Sequence, residues 1–146
     1  MAITKTVSNR FKLELGKAAI NFDSDVFKAI IMADGFTFNP DTHGTLAAVV
    51  ASTITAAGGY TEKTLVVDTA WNQDDANDVA FIDWENVTWT ASGADFDDFS
   101  GIIVYDNSHV DNVVIGCIDL GQVISVIDGN SFQLQNIGFE LATVAV

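Results

Sequence analysis

The sequence predicts an all-β fold: a single antiparallel β-sandwich or jelly-roll-like domain over residues 1–146, with a short N-terminal helix or arm. Three observations favour this class. Short runs rich in β-branched and aromatic residues recur along the chain, separated by clusters of Gly, Asp and Asn. No βαβ rhythm and no internal repeat is visible. A chain of 146 residues is long enough for one domain and short for two.

The first 22 residues contain a possible helical arm. Val7, Phe11, Leu15 and Ala18 follow one another at spacings of four and three, which places them on one face of a helix, and Ser8 can cap its N-terminus. We therefore expect a short helix over about residues 8–18.

The rest of the chain is predicted as strands, turns and one ambiguous segment. Residues 45–52 are either a short helix or an irregular stretch, and Asp128-Gly129 predicts a hairpin turn between 124–127 and 131–135. Acids and amides mark loops at 72–78 and 95–98. The remaining strands are predicted at residues 26–32, 64–69, 81–91, 101–105, 113–120 and 137–144.

Two of these strands are apolar on both faces. Ile102 and Val104 point to one face of their strand, while Ile103 and Tyr105 point to the other. In the strand at 113–120, the two predicted faces consist of Val114, Ile118 and Leu120, and of Val113, Ile115 and Cys117. A sheet with one solvated face would alternate apolar with polar residues. The second face therefore needs a cover, either from another subunit or from a loop or the N-terminal helix of the same chain.

Charge is distributed unevenly along the sequence. All six Lys and Arg lie at or before Lys63, whereas the part after it carries 14 Asp and Glu, so the net charge of −14 resides there. Nucleic acid and anionic membranes are not expected partners, because binding to phosphate depends on Lys and Arg. We see no secretory signal in residues 1–20 and no apolar run that approaches a membrane span, and we expect synthesis in a reducing cytoplasm.

The residues available for catalysis do not form a recognisable site, and we predict that the protein is not an enzyme. Ser108, His109 and Asp111 have the composition of a catalytic triad, but neighbours along one turn do not make the required relay. His109 is expected to be an exposed loop histidine, as is His43. Cys117 is expected to be a small buried hydrophobe.

No cofactor or metal ligand is assigned, although calcium has two candidate positions. Hard cations bind where several oxygens converge from loops, and the chain has two acidic loops. Neither loop has the spacing of an EF-hand, and the alternative is that both are solvated. The candidate groups are Asp74, Asp75 and Asp78, and Asp95, Asp97 and Asp98.

The order of elements resembles that of small structural proteins of tailed bacteriophages. This resemblance is one of pattern and covers most of the chain. The matching stretches are residues 11–22, 24–32, 42–47, 57–61, 87–93, 101–106, 115–121 and 128–132. It implies a virion component, in some relatives a capsid decoration or cement protein with a β-sandwich fold that can assemble as a trimer. The chain departs from many such proteins because it has no basic residue beyond Lys63.

The leading hypothesis is a non-enzymatic decoration or cement protein at the capsid surface of a phage. Its partner would be the major capsid protein, and it would act as a homo-oligomer, implied to be a trimer. The candidate capsid contacts combine cations with apolar area and are Arg10, Phe11, Lys12, Leu15 and Lys17. For Phe11 and Leu15, the competing interpretation is that they pack on the protein's own sandwich.

Three other functions stay open at this point. A binding module of the tail or of a head fibre would recognise a host surface glycan through exposed Trp71 or Trp84, whereas Trp89 alternates as a core residue would. A carbohydrate hydrolase would need a defined pair of carboxylates, and the sequence selects none among 20 acids. An acidic mimic of nucleic acid would bind a DNA-binding protein.

Overall fold

Antiparallel sheets form the body of the molecule in the computed structural model, which describes residues 2–142. Within that range the elements are β1 (Thr4–Val7), α1 (Asn9–Gly16), β2 (Phe27–Ala33), α2 (Leu46–Val49), β3 (Lys63–Thr64), β4 (Val67–Asp74), β5 (Val79–Trp84), β6 (Val87–Thr90), β7 (Phe99–Asp106), β8 (Val114–Ile124), β9 (Ser131–Leu134) and β10 (Ile137–Ala142). Short 3₁₀ turns follow α2 at Val50–Ser52 and occur again at Ala57–Gly59. The predicted all-β, antiparallel fold is confirmed.

The strands form one large and two small sheets. The large sheet has the order β1-β8-β7-β2-β3, and the small ones have the orders β10-β5-β4 and β6-β9. A single apolar core contains side chains from all three, including Ile31 and Ile102 of the large sheet, Ile82 and Phe139 of one small sheet, and Trp89 of the other. The large sheet therefore packs on the two small ones as the two layers of a sandwich.

An aromatic cluster around Phe22 holds one end of this core. The Phe22 ring stacks on Phe27 and Trp71 at centroid distances of 5.1 and 4.8 Å, meets Phe11 edge-on at 5.7 Å, and contacts Trp84 at 6.2 Å. Stacked and edge-to-face pairs of this kind add to the stabilisation from buried area. Phe22 thus joins α1, the large sheet and the β10-β5-β4 sheet.

The predicted N-terminal helix is confirmed, and it is an integral part of the sandwich. Ser8 caps α1 as expected, because its hydroxyl oxygen accepts the Phe11 backbone N–H at 2.9 Å. Strand β1 pairs with β8, and Phe11 is 1% exposed in the core. Residues 4–22 are therefore fixed to the domain on both sides of Ser8.

The chain itself covers the second face of the doubly apolar strands. Ile103, Tyr105 and Cys117 lie in a separate core on the outer face of the large sheet, beneath a segment that follows β2. The covering side chains from this segment are Phe36, Phe38, Leu46 and Val49. The structure shows that this cover is a loop of the same chain. A cover from another subunit is not needed.

A β-bulge changes the predicted faces of β8. The pairing between β7 and β8 shifts from Val104–Gly116 to Tyr105–Val114, which leaves Ile115 as an extra residue. Because of this bulge, Ile115 and Ile118 both face the main core. The strict alternation predicted for residues 113–120 is therefore wrong beyond the bulge.

Three local predictions are also corrected. The predicted strand at 81–91 is two strands, because the chain passes from one small sheet to the other at Glu85 and Asn86. The predicted loop at 72–78 begins inside β4, which runs to Asp74. Asp128-Gly129 is a turn but joins no hairpin: the Ala91 carbonyl accepts the Gly129 N–H, the Ala91 N–H donates to the Asn130 carbonyl, and β9 pairs with β6. Residues 143 and 144 of the last predicted strand lie outside the described range.

Candidate contact surface

The five predicted contact residues divide between the core and the surface. Phe11 is buried and Leu15 packs against the main core, so both belong to the protein's own interior, and the prediction of Phe11 as a capsid contact is wrong. The amphipathic helix directs them inward because they lie one turn apart. Arg10, Lys12 and Lys17 lie at the surface.

The outward face of α1 combines cations with one exposed leucine. Lys12 and Lys17 flank Leu13, which is 51% exposed. Leu13 was not predicted as a contact residue, because the apolar spacing of the helix identifies the face that is buried with Phe11. The signal that could have found it is a leucine between two lysines on the opposite side of the same helix.

A partly buried ion cluster fixes α1 to the turn between β7 and β8. The Glu14 carboxylate lies 2.8 Å from Arg10 Nε, 3.7 Å from Lys17 Nζ and 3.8 Å from His109 Nε2. Arg10 also bonds to Asp111 at 2.8 Å. Glu14 is the one acid of the helix and is buried among these partners, so the exposed face of α1 carries no acid.

His109 is not the exposed loop histidine that was predicted. Its side chain is only 10% exposed, because the ring packs against the buried carboxylate of Glu14. His109 Nδ1 accepts the Asp111 backbone N–H at 3.1 Å, so in the neutral ring the proton lies on Nε2, towards Glu14. The Ser108 hydroxyl accepts the Val26 N–H at 2.8 Å instead of bonding to His109.

Cys117 is the small buried hydrophobe that was expected. It is 4% exposed on the outer face of the large sheet. Burial, reinforced by the charge of Asp119, raises the pKa of its thiol to about 12. The thiol is therefore protonated at neutral pH and is a poor nucleophile.

The carboxylates of the two acidic loops are used to hold the loops together. Asp74 accepts from the Asn77 amide and the Ala76 N–H, and Asp97 accepts twice from Thr55, which keeps the pKa of both carboxyls below the ordinary value. Among residues 2–142, no group of three or more His, Cys, Asp or Glu converges as metal ligands would. Calcium binding at these loops stays a prediction.

Two of the three tryptophans are unavailable to a glycan. Trp84 and Trp89 are 3% and 1% exposed in the core, and Trp89 Nε1 donates to the Thr61 carbonyl at 3.0 Å. Trp71 is half-buried, with one face of its ring stacked on Phe22. Trp84 is therefore a core residue, and Trp71 is the single one of the three from which a glycan platform could be built.

A charge-free surface surrounds α2. Residues 42–61 form the longest stretch of the sequence without Asp, Glu, Lys or Arg, and many of their small side chains are exposed. Val50 is 50% exposed here, and Val110 of the neighbouring turn is 89% exposed. We call the exposed surface of residues 45–56 together with Val110 the α2 patch. This patch was not predicted, although the absence of charge over residues 42–61 is visible in the sequence of such an acidic chain.

Two open grooves flank α2 on this patch. One, of about 360 Å³, is lined by apolar groups that include Ile30 and Ile54; the other, of about 430 Å³, contains Val110. Leu46 and Val50 line both grooves, so α2 forms a ridge between them.

Two acids at the edge of the α2 patch are paired with cations. Asp111 bonds to Arg10, and Glu62 bonds to Lys28 at 2.6 Å and to the Tyr105 hydroxyl at 2.7 Å. Partial burial opposes ionisation of Glu62, but the hydrogen bonds outweigh it and keep the pKa of that carboxyl below its ordinary value. A third acid, Asp97, bonds to the N–H and hydroxyl of Thr55 and not to a cation, so the patch itself carries no charge but has one unpaired acid at its edge.

Comparisons with known proteins were made at the level of both sequence and structure. No protein-family model, curated protein or solved structure matches the chain. Within residues 2–142, no helix has the length and apolar character needed to cross a membrane.

A buried aspartate lies beside the turn that carries Val110. Asp106 is fully buried; its Oδ1 accepts the backbone N–H groups of Ser108 and His109 at 2.7 and 3.1 Å, and its Oδ2 has no donor in the structure. The Asp25 carboxyl lies within hydrogen-bonding reach of it. Burial first, and the charge of Asp25 second, raise the pKa of Asp106. Asp106 therefore keeps its proton to a higher pH than an exposed aspartate does.

Asp106→Asn is expected to change the free energy of unfolding in favour of the folded state by about 1–3 kcal/mol more at pH 8 than at pH 4. Asparagine keeps the Oδ1 acceptor and supplies an N–H towards Asp25. The pKa of Asp106 is higher in the folded state than in the unfolded state. Asp106 therefore stabilises the fold fully below about pH 4, and this stabilisation is lost as the pH rises through the pKa of the folded state. Urea unfolding at both pH values measures the difference.

Asp119→Asn provides the control, because Asp119 is exposed and also accepts a turn N–H, from Gly121 at 2.8 Å. Its effect should differ little between the two pH values. Equal pH dependence in the two variants would show that the pKa of Asp106 is not raised by its burial.

Proposed function

We propose that the protein is a non-enzymatic structural component of a bacteriophage virion. It is a decoration or cement protein that binds the major capsid protein on the outside of the head as a homo-oligomer. The resemblance to phage structural proteins implies that this oligomer is a trimer. The observation that carries this proposal is the outward face of α1, where Lys12, Leu13 and Lys17 project and the helix itself contributes no exposed acid.

The charge of the whole molecule makes this face distinct. The protein carries a net charge of −14, and three of its six cations belong to α1 and its C-terminal cap. An anionic partner is repelled by most of the surface and attracted to this helix, which favours one orientation of binding. The acidic loops, on this proposal, face solvent away from the particle.

The attachment of α1 suits it to bind a rigid lattice. The Ser8 cap, the buried Phe11 ring and the Glu14 ion cluster hold the helix in place before any contact is made. A preorganised element loses little conformational entropy when it binds. Several such helices in an oligomer would bridge neighbouring capsid subunits and oppose the pressure of the packaged genome.

The double variant Lys12→Glu with Lys17→Glu is expected to lower the affinity for capsids by roughly 10- to 100-fold at low salt, because it reverses the charge of the proposed contact. Co-sedimentation with expanded, mature-form capsids of the phage that encodes the protein measures this change. Circular dichroism checks that the variant is folded, because Lys17 also lies 3.7 Å from the Glu14 carboxylate, which keeps its closer bond to Arg10 at 2.8 Å.

A second double variant, Lys5→Glu with Lys63→Glu, changes the net charge equally at β1 and β3. It should bind nearly as well as the parent protein. Equal losses in the two doubles, or no capsid binding by the parent, would contradict the proposal. Glycan binding that depends on Trp71 would instead favour the tail or head-fibre module.

A further inference from the structure

We infer that the α2 patch is an interface between copies of this chain. The patch is separate from the outward face of α1, and its role as an interface does not depend on the proposed function. Its low charge and its shape, together with the charge of the acidic loops and of α1, support this role.

Neutrality decides where two copies can meet. Two molecules with a charge of −14 each repel one another over most orientations. The α2 patch contains no charged side chain in residues 45–56, and two acids at its edge, Asp111 and Glu62, are bonded to Arg10 and Lys28. A third acid, Asp97, is bonded to the N–H and hydroxyl of Thr55 and not to a cation. Contact through this patch therefore brings fewer unpaired like charges together than contact through the acidic loops would.

The shape of the patch provides both a protrusion and a recess. Val110 is 89% exposed at the tip of its turn, and Val50 is half-exposed on the ridge formed by α2. The groove beyond the ridge is lined by Ile30, Ile54 and the Tyr60 ring. An apolar knob and an apolar groove on one surface are self-complementary, as contact between identical copies requires.

The position of the patch also favours a copy of the chain over a charged partner. A cationic partner would find stronger attraction on the acidic loops, and an anionic partner would find it on α1. A neutral apolar surface has no electrostatic complementarity to a cationic or an anionic partner. It is complementary to another apolar surface, such as the same patch on a second copy. Burial of the exposed valines then provides the favourable free energy of association.

The test compares two substitutions in the patch with one outside it. Val50→Asp combined with Val110→Asp places a charge on the ridge and on the knob, and should weaken self-association at least 100-fold. Val123→Asp on β8 is the matched control, because Val123 is 50% exposed and lines neither groove. It should associate as the parent protein does.

Sedimentation equilibrium from about 1 to 100 µM measures the association, with circular dichroism as a check on folding. We expect the parent protein to form a defined oligomer whose association strengthens between 0.05 and roughly 0.5 M NaCl, since salt screens the repulsion between acidic copies. A parent protein that stays monomeric over this whole range would overturn the inference, and so would patch variants that associate normally.

The outcomes separate this interface from the capsid contact. Lys12→Glu with Lys17→Glu should leave the oligomer intact, whatever its effect on capsids. If the α2 variants stay oligomeric but lose capsid binding, the patch faces the capsid and the inference is wrong. If they become monomeric while the parent protein binds no capsid, the interface stands and the proposed function fails.

Discussion

Phe22→Ala is expected to lower the free energy of unfolding by about 3–5 kcal/mol, the usual cost of removing a buried aromatic ring. Phe22 is 4% exposed and its ring contacts four other aromatic rings from α1, β2, β4 and β5. Because the ring joins three parts of the sandwich, the cavity cannot close by the shift of one element. Urea unfolding followed by tryptophan fluorescence measures the loss.

Phe132→Ala is the comparison for this experiment. Phe132 is only half-buried, and it contacts Trp89 and Phe99 at 6.1 and 5.0 Å. Its removal should cost about 1–2 kcal/mol, since part of its area is exposed already. If Phe132→Ala costs as much as Phe22→Ala, the cluster around Phe22 is not the principal aromatic core.

Gly116→Ala is expected to destabilise the protein by about 2–3 kcal/mol, because the added methyl has no space. A Cβ at this position would overlap the Thr6 carbonyl oxygen and lie 2.7 Å from the Phe139 ring. Thr6 belongs to β1, which pairs with β8 and lies directly before α1 in the chain. The substitution should therefore loosen β1 and α1 before the rest of the sandwich.

Gly16→Ala adds the same methyl where nothing lies within 4 Å, at the end of α1. It should raise stability by about 0.5–1 kcal/mol through helix propensity. Hydrogen exchange would show whether Gly116→Ala releases β1 and α1 first. Equal thermal stability of the two variants would contradict the close approach of β1 to β8 at Gly116.

Local signals in the sequence account for most of the fold. The cap at Ser8, the apolar spacing of α1 and the strand runs act within a few residues, so they were readable directly. The bulge at Ile115 and the pairing of β9 with β6 depend on hydrogen bonds to distant segments. For that reason neither the faces of β8 nor the partner of β9 followed from alternation and turn residues.

The surfaces were less predictable than the fold. Lys12 and Lys17 were expected at the surface, where charged side chains are readily solvated. The environment of His109 depends on Glu14, which is far away in sequence, and nothing near His109 indicated a buried carboxylate. The α2 patch is different, because the charge-free stretch at 42–61 was visible in the sequence and needed the structure only to show its exposure.

The loop that covers the outer face of the large sheet has a consequence for assembly. Phe36, Phe38, Leu46 and Val49 close that face within one chain, so a single copy completes its own interior. Its folding should not require a partner, and its melting temperature should depend only weakly on protein concentration when association is weak. Association is then a reversible step between finished molecules, in which copies can join, leave and be exchanged without unfolding.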